Sequence, residues 1–239
     1  MAGWSLGEHQ EWSKFSNFEV STRVPFLISL PNLMPINEDT NFSSLKRESS
    51  NNKVFNRPVE LLDLFPTLVD LAGLPKIEVC PSNSTNIQLC TEGNSLSPII
   101  KTFKFYDRAN IPNRKFQFKS YLAFLNKFKK KKLLKITNKV AYSQYPRPSI
   151  VPSKTPDSDQ PRLTETNIMG YSMRTSRYRY TVWLPFDHET FKSNWSNIVA
   201  QELYDHKIDP EENFNVVFKK SYKSVNTLLR NKIKFFHNK

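Results

Sequence analysis

Two adjoining stretches decide the fold: GWSLGEHQEWSKFSNFE at residues 3–19 and VPFLISL at residues 24–30. A glycine-rich turn leads into a dense run of Glu, His, Trp and Lys, and then into an apolar run that predicts a buried strand. Polar, ionisable and aromatic side chains at the mouth of a core strand are typical of the active-site rim of an open α/β sheet. These stretches therefore predict an α/β fold with a functional site near residues 3–19.

A helix is predicted downstream of this strand. Apolar residues recur at helical spacing over residues 61–71, and Gly73 follows as a stop signal. Pro66 interrupts the pattern, because proline lacks an amide hydrogen and is tolerated only in the first turn of a helix. The sequence therefore predicts a turn, a break, and a helix that begins at about Pro66 as its first helical residue.

The carboxy-terminal part is predicted to be a small antiparallel sheet with a helix at its end. Residues 141–145 form one strand, and alternating apolar residues over 169–184 form a hairpin with its turn at 175–177. Residues 202–205 are the end of another strand. Apolar residues on one side of the segment 221–236, with Lys and Arg elsewhere, predict an amphipathic helix.

The net charge of +13 is concentrated in one segment. Residues 101–139 contain 13 Lys or Arg and one acid, which leaves the remaining 200 residues nearly neutral. Aromatic and basic residues alternate before the Lys127–Lys135 run, a pattern suited to a sulfated polysaccharide, a nucleic acid or an anionic membrane. An insertion without function is the interpretation that we favour, and we expect no nucleic-acid partner.

Two cysteines, Cys80 and Cys90, are ten residues apart. In a cytosolic protein they would be free thiols, and in a secreted protein they would close a short disulfide loop. Three Asn-x-Ser/Thr sequons, at Asn41, Asn83 and Asn194, favour the secreted alternative. Because Asn83 lies between the cysteines, we expect a disulfide-closed loop and glycosylation at the three sequons.

The amino terminus shows no apolar signal-peptide core, and no run of residues reaches the length of a membrane span. Either the chain is cytosolic as written, or an amino-terminal portion is missing. The motif at residues 3–19 favours the second interpretation.

The segment from Gly3 to Lys14 resembles the sulfatase family. In that family an Asp-His pair of metal ligands directly precedes the Gly-Trp, whereas Met1 and Ala2 stand there in this chain. The nucleophile motif of the family, Cys-x-Pro-Ser-Arg, has no counterpart, because the proline after Cys80 comes one place early and no arginine follows. The resemblance therefore implies a chain without its own nucleophile or metal ligands.

The resemblance continues downstream and covers about residues 3–105 and 140–230. It implies that Cys80 and Cys90 form a disulfide. Its further matching segments are residues 60–68, 141–148, 168–175, 178–183 and 202–213. The closest similarity is to a subfamily that acts on 2-sulfated uronates.

The resemblance implies a domain organisation and an activity. Residues 1–105 would be the carboxy-terminal part of an alkaline-phosphatase-like sulfatase core, 106–139 a disordered basic insertion, and 140–239 a subdomain. The full protein would hydrolyse the 2-sulfate of iduronate in heparan and dermatan sulfate, with Ca²⁺ and formylglycine, in the lysosome or after secretion. The isolated chain would be inactive. The alternatives are a non-catalytic polyanion-binding protein that uses Lys127–Lys135, and a truncated product without function.

Lys14 is the predicted catalytic residue. An ammonium group beside a sulfate ester binds its oxygens and stabilises negative charge on the leaving alkoxide. The Gly-Glu-His-x-Glu-Trp-x-Lys spacing that ends at Lys14 matches the family segment that delivers such a lysine. The alternative is a solvated surface lysine, which describes most lysines.

Other residues are predicted to bind the sugar. Trp4 is expected to stack on a sugar ring, and Trp12 either stacks in the same way or packs in a core. Arg147 or Arg162 would bind the uronate carboxylate, because Gln160 stands where the subfamily has a lysine.

Two ionisable residues of the opening motif are given structural roles. His9 is interpreted as structural rather than as a metal ligand or a general acid, because a lone histidine in a loop more often has a structural role. Glu19 is expected to accept hydrogen bonds from the backbone or from Arg23.

Overall fold

The structure is a computed structural model. It describes residues 3–14, 16–30, 54–81, 89–100, 140–151 and 161–237. Several predictions concern residues outside these ranges, namely glycosylation at Asn41 and Asn83, the replacement at Gln160, and the basic insertion with Lys127–Lys135. The hypothesis of a polyanion-binding protein built on that insertion therefore stays a prediction.

The chain divides into two compact units. One unit combines residues 1–26 with 140–239, and the other spans residues 27–139. The structure thus groups the amino-terminal segment with the carboxy-terminal sheet, whereas the sequence analysis placed it together with residues 27–105. The predicted boundaries near residues 105 and 139 fall at residues that the structure does not describe, so they stay predictions.

The regular elements are short outside the carboxy-terminal part. The strands, in chain order, are β1 Ser5–Leu6, β2 Trp12–Ser13, β3 Glu78–Val79, β4 Cys90–Thr91, β5 Ala141–Arg147, β6 Ile168–Arg174, β7 Tyr178–Asp187, β8 Lys192–Ser193 and β9 Ala200–Asp205. The α-helices are Glu19–Thr22, Leu64–Leu71 and Lys223–His237, with residues 97–100 also helical. Short 3₁₀ helices span Glu8–Gln10, Leu61–Asp63, Leu163–Glu165 and Lys220–Tyr222.

An antiparallel sheet with the order β5-β6-β7-β9 forms the centre of the first unit. The turn between β6 and β7 lies at residues 175–177, as predicted, with Arg174 opposite Arg179. One face of the sheet packs against the helix Lys223–His237. The buried apolar residues of this core include Met169, Tyr171, Met173, Tyr180, Val182, Leu184, Leu203, Leu229 and Ile233. The prediction of an antiparallel sheet with a carboxy-terminal helix is therefore confirmed.

The opposite face of the sheet is polar and is covered by the amino-terminal segment. Asn17 is buried there, and its side-chain amide donates a hydrogen bond to the Gly170 carbonyl at 3.2 Å. The Ser143 hydroxyl donates to the Asn17 side-chain oxygen at 2.9 Å. Gly170 must be glycine, because a Cβ atom there would lie 2.5 Å from the Trp183 ring. Polar residues on this face thus fix the segment that carries the opening motif.

The predicted buried strand at residues 24–30 is wrong. The segment has no regular secondary structure, and Leu27 is 90% exposed. A strand forms only where a neighbouring strand supplies hydrogen-bond partners, and no described residue pairs with this segment. The carboxy-terminal helix also differs at two residues, because Leu228 and Phe236, expected on the packed side, are 66% and 45% exposed.

The helix Leu64–Leu71 of the second unit begins two residues before the predicted start. Pro66 is accommodated because amides in the first turn need no intrahelical acceptor. Gly73 adopts a positive φ of 72° after the last turn, as expected for a helix stop. The buried Thr67 hydroxyl accepts a hydrogen bond from the Leu96 amide at 2.8 Å and so holds the following loop against the helix.

Cys80 and Cys90 form a disulfide, which confirms the prediction. Their Cα atoms are 4.9 Å apart. β3 and β4 pair in parallel beside the bond, with Glu78 opposite Cys90, and the Cys80 amide donates to the Thr91 carbonyl at 3.2 Å. The disulfide therefore joins two segments that also share backbone hydrogen bonds.

We expect the Cys80→Ser/Cys90→Ser double variant to be less stable than the parent by about 2–3 kcal/mol, because the disulfide restricts the unfolded chain. Urea unfolding of both proteins measures the difference. Alkylation of non-reduced secreted protein followed by mass spectrometry is the second measurement. Two alkylated thiols per chain would contradict the disulfide.

None of the helices in the described ranges is both long enough and apolar enough to cross a membrane.

Candidate functional site

A β-hairpin presents the predicted catalytic residue. β1 and β2 pair antiparallel, with Ser5 opposite Ser13 and Leu6 opposite Trp12. This register places Lys14 beside Trp4, and the Lys14 Nζ atom lies 5.5 Å from the centroid of the Trp4 ring. Lys14 is exposed and Trp4 is 53% exposed, so both side chains face solvent. The structure thus brings together the two residues predicted as catalytic and as sugar-stacking.

The turn of the hairpin uses backbone conformations that are uncommon outside glycine. Gly7 has a φ of 118°, while His9 and Gln10 have φ values of 56° and 62°. The Glu8 carboxylate accepts a hydrogen bond from the Leu6 amide at 2.5 Å, and this bond lowers the pKa of Glu8. The His9 ring stacks on Phe18 with 3.8 Å between centroids, which agrees with its interpretation as structural.

The base of the hairpin is anchored on the short helix Glu19–Thr22. The Gly3 amide donates to the Ser21 carbonyl at 2.7 Å, and the Ser16 hydroxyl donates to the Ser21 hydroxyl at 2.9 Å. A Cβ atom at position 3 would lie 1.9 Å from the Val20 carbonyl oxygen, so only glycine fits. Both ends of the segment that carries Lys14 are therefore tied to Ser21, by a backbone hydrogen bond at Gly3 and by a side-chain hydrogen bond at Ser16.

An ion-pair cluster joins this helix to the sheet. Glu19 accepts from Arg174 at 2.8 Å and from Arg179 at 2.7 Å, and Arg179 also donates to Glu212 at 2.5 Å. His206 Nε2 lies 2.7 Å from the Glu212 carboxylate. We call these five residues the ion-pair cluster. It fixes the position of the segment that follows Lys14.

The two carboxylates of the ion-pair cluster stay ionised although they are shielded from water. Burial by itself raises the pKa of Glu19, but the hydrogen bond and charge of Arg174, with the charge of Arg179, outweigh it and lower the pKa to about 2. Burial likewise raises the pKa of Glu212, and its hydrogen bond with His206 and the charge of Arg179 outweigh that effect and lower it. Both carboxylates are therefore ionised at neutral pH.

The ion-pair cluster does not suit a calcium ion. Ligand atoms of Glu19, His206 and Glu212 lie within 4.8 Å of one another, which is a spacing that a metal could use. However, Arg174 and Arg179 already occupy these carboxylates, and a divalent cation would have to displace both guanidinium groups. Calcium also takes six to eight oxygen ligands. We therefore assign no metal site within the described ranges.

The predicted substrate residue Arg147 is exposed and lies beside Trp183, which belongs to a second polar group. Its guanidinium carbon lies 5.5 Å from the Trp183 ring centroid. The Trp183 indole donates to the Glu202 carboxylate at 2.5 Å, and the Tyr204 hydroxyl donates to it at 3.1 Å. Burial raises the pKa of Glu202. Burial also raises the pKa of Glu11 of the hairpin, and a hydrogen bond with Ser16 and the charge of Arg147 oppose that shift.

The remaining predicted residues lie apart or in a different environment. Arg162 is exposed at the start of the 3₁₀ helix Leu163–Glu165, where its amide donates to Glu165 at 3.1 Å. Trp12 is 72% exposed, which excludes the core-packing alternative. Asn194 is exposed, and its side-chain oxygen accepts a hydrogen bond from the Ser196 amide at 3.0 Å.

Sequence reasoning missed the partners of Glu19. It expected the backbone or Arg23, whereas the side-chain partners are Arg174 and Arg179, which are 155 and 160 positions away in the chain. No local spacing links residues that are so far apart. The available signal was the pair of arginines on either side of the predicted hairpin turn, because residues directly opposite each other share one face of the sheet.

Comparison with known proteins identifies the relatives of the chain. No family model matches it. Iduronate 2-sulfatase of Homo sapiens is 39% identical over 225 residues, and that of Mus musculus is 38% identical over the same length. The match covers 90% of this chain and 36% of each relative. The chain is a homologue of the sulfatases. The resemblance predicted from the opening motif and the downstream segments is thus confirmed.

Solved structures of sulfatases are also similar to this sulfatase homologue. A putative sulfatase from Bacteroides thetaiotaomicron matches 73% of this chain and 23% of its own, with 20% identity and a TM-score of 0.37. A 2-O GAG sulfatase matches the same shares of both chains, with 20% identity and a TM-score of 0.38. The sulfatase homologue spans about a third of the length of its curated relatives.

Proposed function

We propose that this chain presents Lys14 and Trp4 to a sulfated sugar within a sulfuric ester hydrolase that acts on 2-sulfated iduronate in heparan and dermatan sulfate. The observation that carries the proposal is the exposed lysine held over Trp4 by an anchored hairpin. The curated relatives named iduronate 2-sulfatase support the substrate class. A lysosomal or secreted location belongs to the same proposal, and the Cys80–Cys90 disulfide supports it.

Lys14 supplies a positioned positive charge. Hydrolysis of a sulfate ester leaves negative charge on the departing sugar oxygen, and a fixed ammonium group stabilises that charge most in the transition state. The Lys14 ammonium is exposed, and the hairpin that carries it is tied to Ser21 through the Gly3 amide. The group therefore needs little reorganisation when substrate binds.

Trp4 and Arg147 bind the sugar. The exposed Trp4 ring offers an apolar face for the carbon–hydrogen face of a pyranose ring. Arg147 presents a planar fork of donors that suits the uronate carboxylate, and its guanidinium lies over the Trp183 ring. Of the two predicted arginines we favour Arg147, because Arg162 lies at the start of a separate turn.

We propose that the nucleophile and the metal ligands lie outside the part of the chain that the structure describes. The sequence lacks the Cys-x-Pro-Ser-Arg motif, and the ion-pair cluster does not suit a calcium ion. Sulfatase homology favours metal dependence in general, and we propose Ca²⁺ as the ion. When bound, it would hold the sulfate group for attack. The residues of this chain contribute charge stabilisation and sugar binding only.

We expect the isolated chain to show no turnover of 4-methylumbelliferyl iduronide 2-sulfate, even with added Ca²⁺, because a lysine alone cannot replace a nucleophile and a metal. A chimera in which this chain replaces the aligned segment of human iduronate 2-sulfatase should hydrolyse the same substrate. The release of the fluorescent product measures the turnover of both the isolated chain and the chimera. Turnover by the isolated chain would refute the division of roles, and a folded but inactive chimera would refute the proposed function.

A further inference from the structure

The carboxy-terminal helix carries a basic surface that the proposed function does not use. Residues 213–237 contain no Asp or Glu. Their six basic residues are Lys219, Lys220, Lys223, Arg230, Lys232 and Lys234. This second basic region is separate in sequence from the insertion at residues 101–139.

The cations on this helix form an outward stripe. Leu229 and Ile233 are buried against the sheet, so the opposite side of the helix faces solvent. Lys223, Thr227 and Lys234 are exposed on that side, at steps of four and seven residues that keep side chains on one helix face. Eleven residues separate the two lysines, which corresponds to about 16 Å along the helix axis.

Polar side chains fill the space between the lysines. A shallow groove follows this side of the helix. Its lining residues are Lys220, Lys223, Ser224, Thr227, Leu228 and Asn231. None of the ion pairs within the described part of the chain involves these lysines. The stripe thus offers positive charge together with hydroxyl and amide donors, and no described carboxylate neutralises it.

We propose that the helix stripe, defined as Lys220, Lys223, Thr227, Asn231 and Lys234, binds a sulfated polysaccharide chain. A linear polyanion carries sulfate groups at repeated intervals, and lysines spread along about 16 Å can contact more than one of them. Threonine and asparagine side chains donate hydrogen bonds to sulfate and sugar oxygens. The choice of polysaccharide rests on the proposed function, whereas the anionic nature of the ligand rests on the stripe.

An anionic membrane fits this surface less well. A helix that lies in a membrane interface buries a continuous apolar face among the lipids. Here Leu229 and Ile233 pack against the sheet. Leu228 and Phe235 are exposed on the helix, but Ser224, Thr227 and Asn231 are exposed there too, so the outward face has no continuous apolar strip. The outward face therefore suits a hydrated polyanion.

Fluorescein-labelled heparin, titrated with the full-length chain near physiological ionic strength, tests the proposal. The variant Lys220→Gln/Lys223→Gln/Lys234→Gln should bind heparin about tenfold more weakly than the parent, because it removes three positive charges from the helix stripe. The control variant is Lys76→Gln/Lys192→Gln/Lys207→Gln, which removes the same charge from exposed lysines elsewhere. It should change affinity by less than about twofold.

Three outcomes would overturn the proposal. One is an equal loss of heparin affinity in both triple variants. Another is unchanged heparin affinity in the stripe variant, which would show that heparin binds elsewhere on the chain. The third is binding of the parent to phosphatidylserine vesicles, lost in the stripe variant, without binding to heparin. The charge-neutral variant Thr227→Val/Asn231→Leu should bind heparin about threefold more weakly. Heparin binding involves no turnover, so its failure is distinguishable from the failure of the proposed hydrolase.

Discussion

Replacement of Arg179 by methionine should lower the free energy of unfolding by about 3–5 kcal/mol, because it removes the buried cation that two shielded carboxylates share. The Arg179 side chain is only 2% exposed, and it donates to both Glu19 and Glu212. Methionine fills part of the volume but offers no donor. Urea unfolding, followed by the fluorescence of the tryptophans, measures the difference.

Two further variants make this test specific. Arg162→Met removes an arginine whose side chain is exposed, and it should change stability by less than about 0.5 kcal/mol. Arg179→Met combined with Glu212→Gln should cost less than the sum of the single variants, because both act on the ion-pair cluster. A loss below about 1 kcal/mol in Arg179→Met would show that the cluster is not a stabilising link between the amino-terminal segment and the sheet.

In the chimera, Lys14→Ala should lower kcat/KM by roughly a hundredfold or more with little change in stability. A positioned donor that faces developing negative charge contributes about 2.7–4 kcal/mol to transition-state stabilisation in comparable sites. Initial rates on the fluorogenic iduronide substrate give kcat/KM for each variant. Lys14→Arg should restore little activity, because a planar guanidinium does not replace a compact ammonium.

The matched control for this prediction is Lys192→Ala, since Lys192 is an exposed lysine of β8, which pairs with β7. It should leave both kcat/KM and stability unchanged within about 0.5 kcal/mol. Near-normal kinetics in the Lys14→Ala variant would remove Lys14 from the site. The opening motif would then serve packing only.

Local patterns were sufficient for several elements. The hairpin of β6 and β7 follows from alternation over residues 169–184 with polar residues at its turn, and the helix Lys223–His237 follows from apolar residues at helical spacing. The apolar run at residues 24–30 failed as a predictor, because composition does not show whether a pairing strand exists. The prediction that Leu228 is buried was wrong for a similar reason, because helical periodicity does not show how wide the packed face of a helix is.

The sequence by itself determined the resemblance to sulfatases, the antiparallel sheet with its helix, the disulfide, and the motif that carries Lys14. These depend on residues that are near in the chain or that match a known pattern. Only the tertiary structure decided how Lys14 lies over Trp4, and which partners hold Glu19. The ion-pair cluster joins residues up to 193 positions apart, and such contacts arise from the packing of a segment on a sheet face, which no local periodicity encodes.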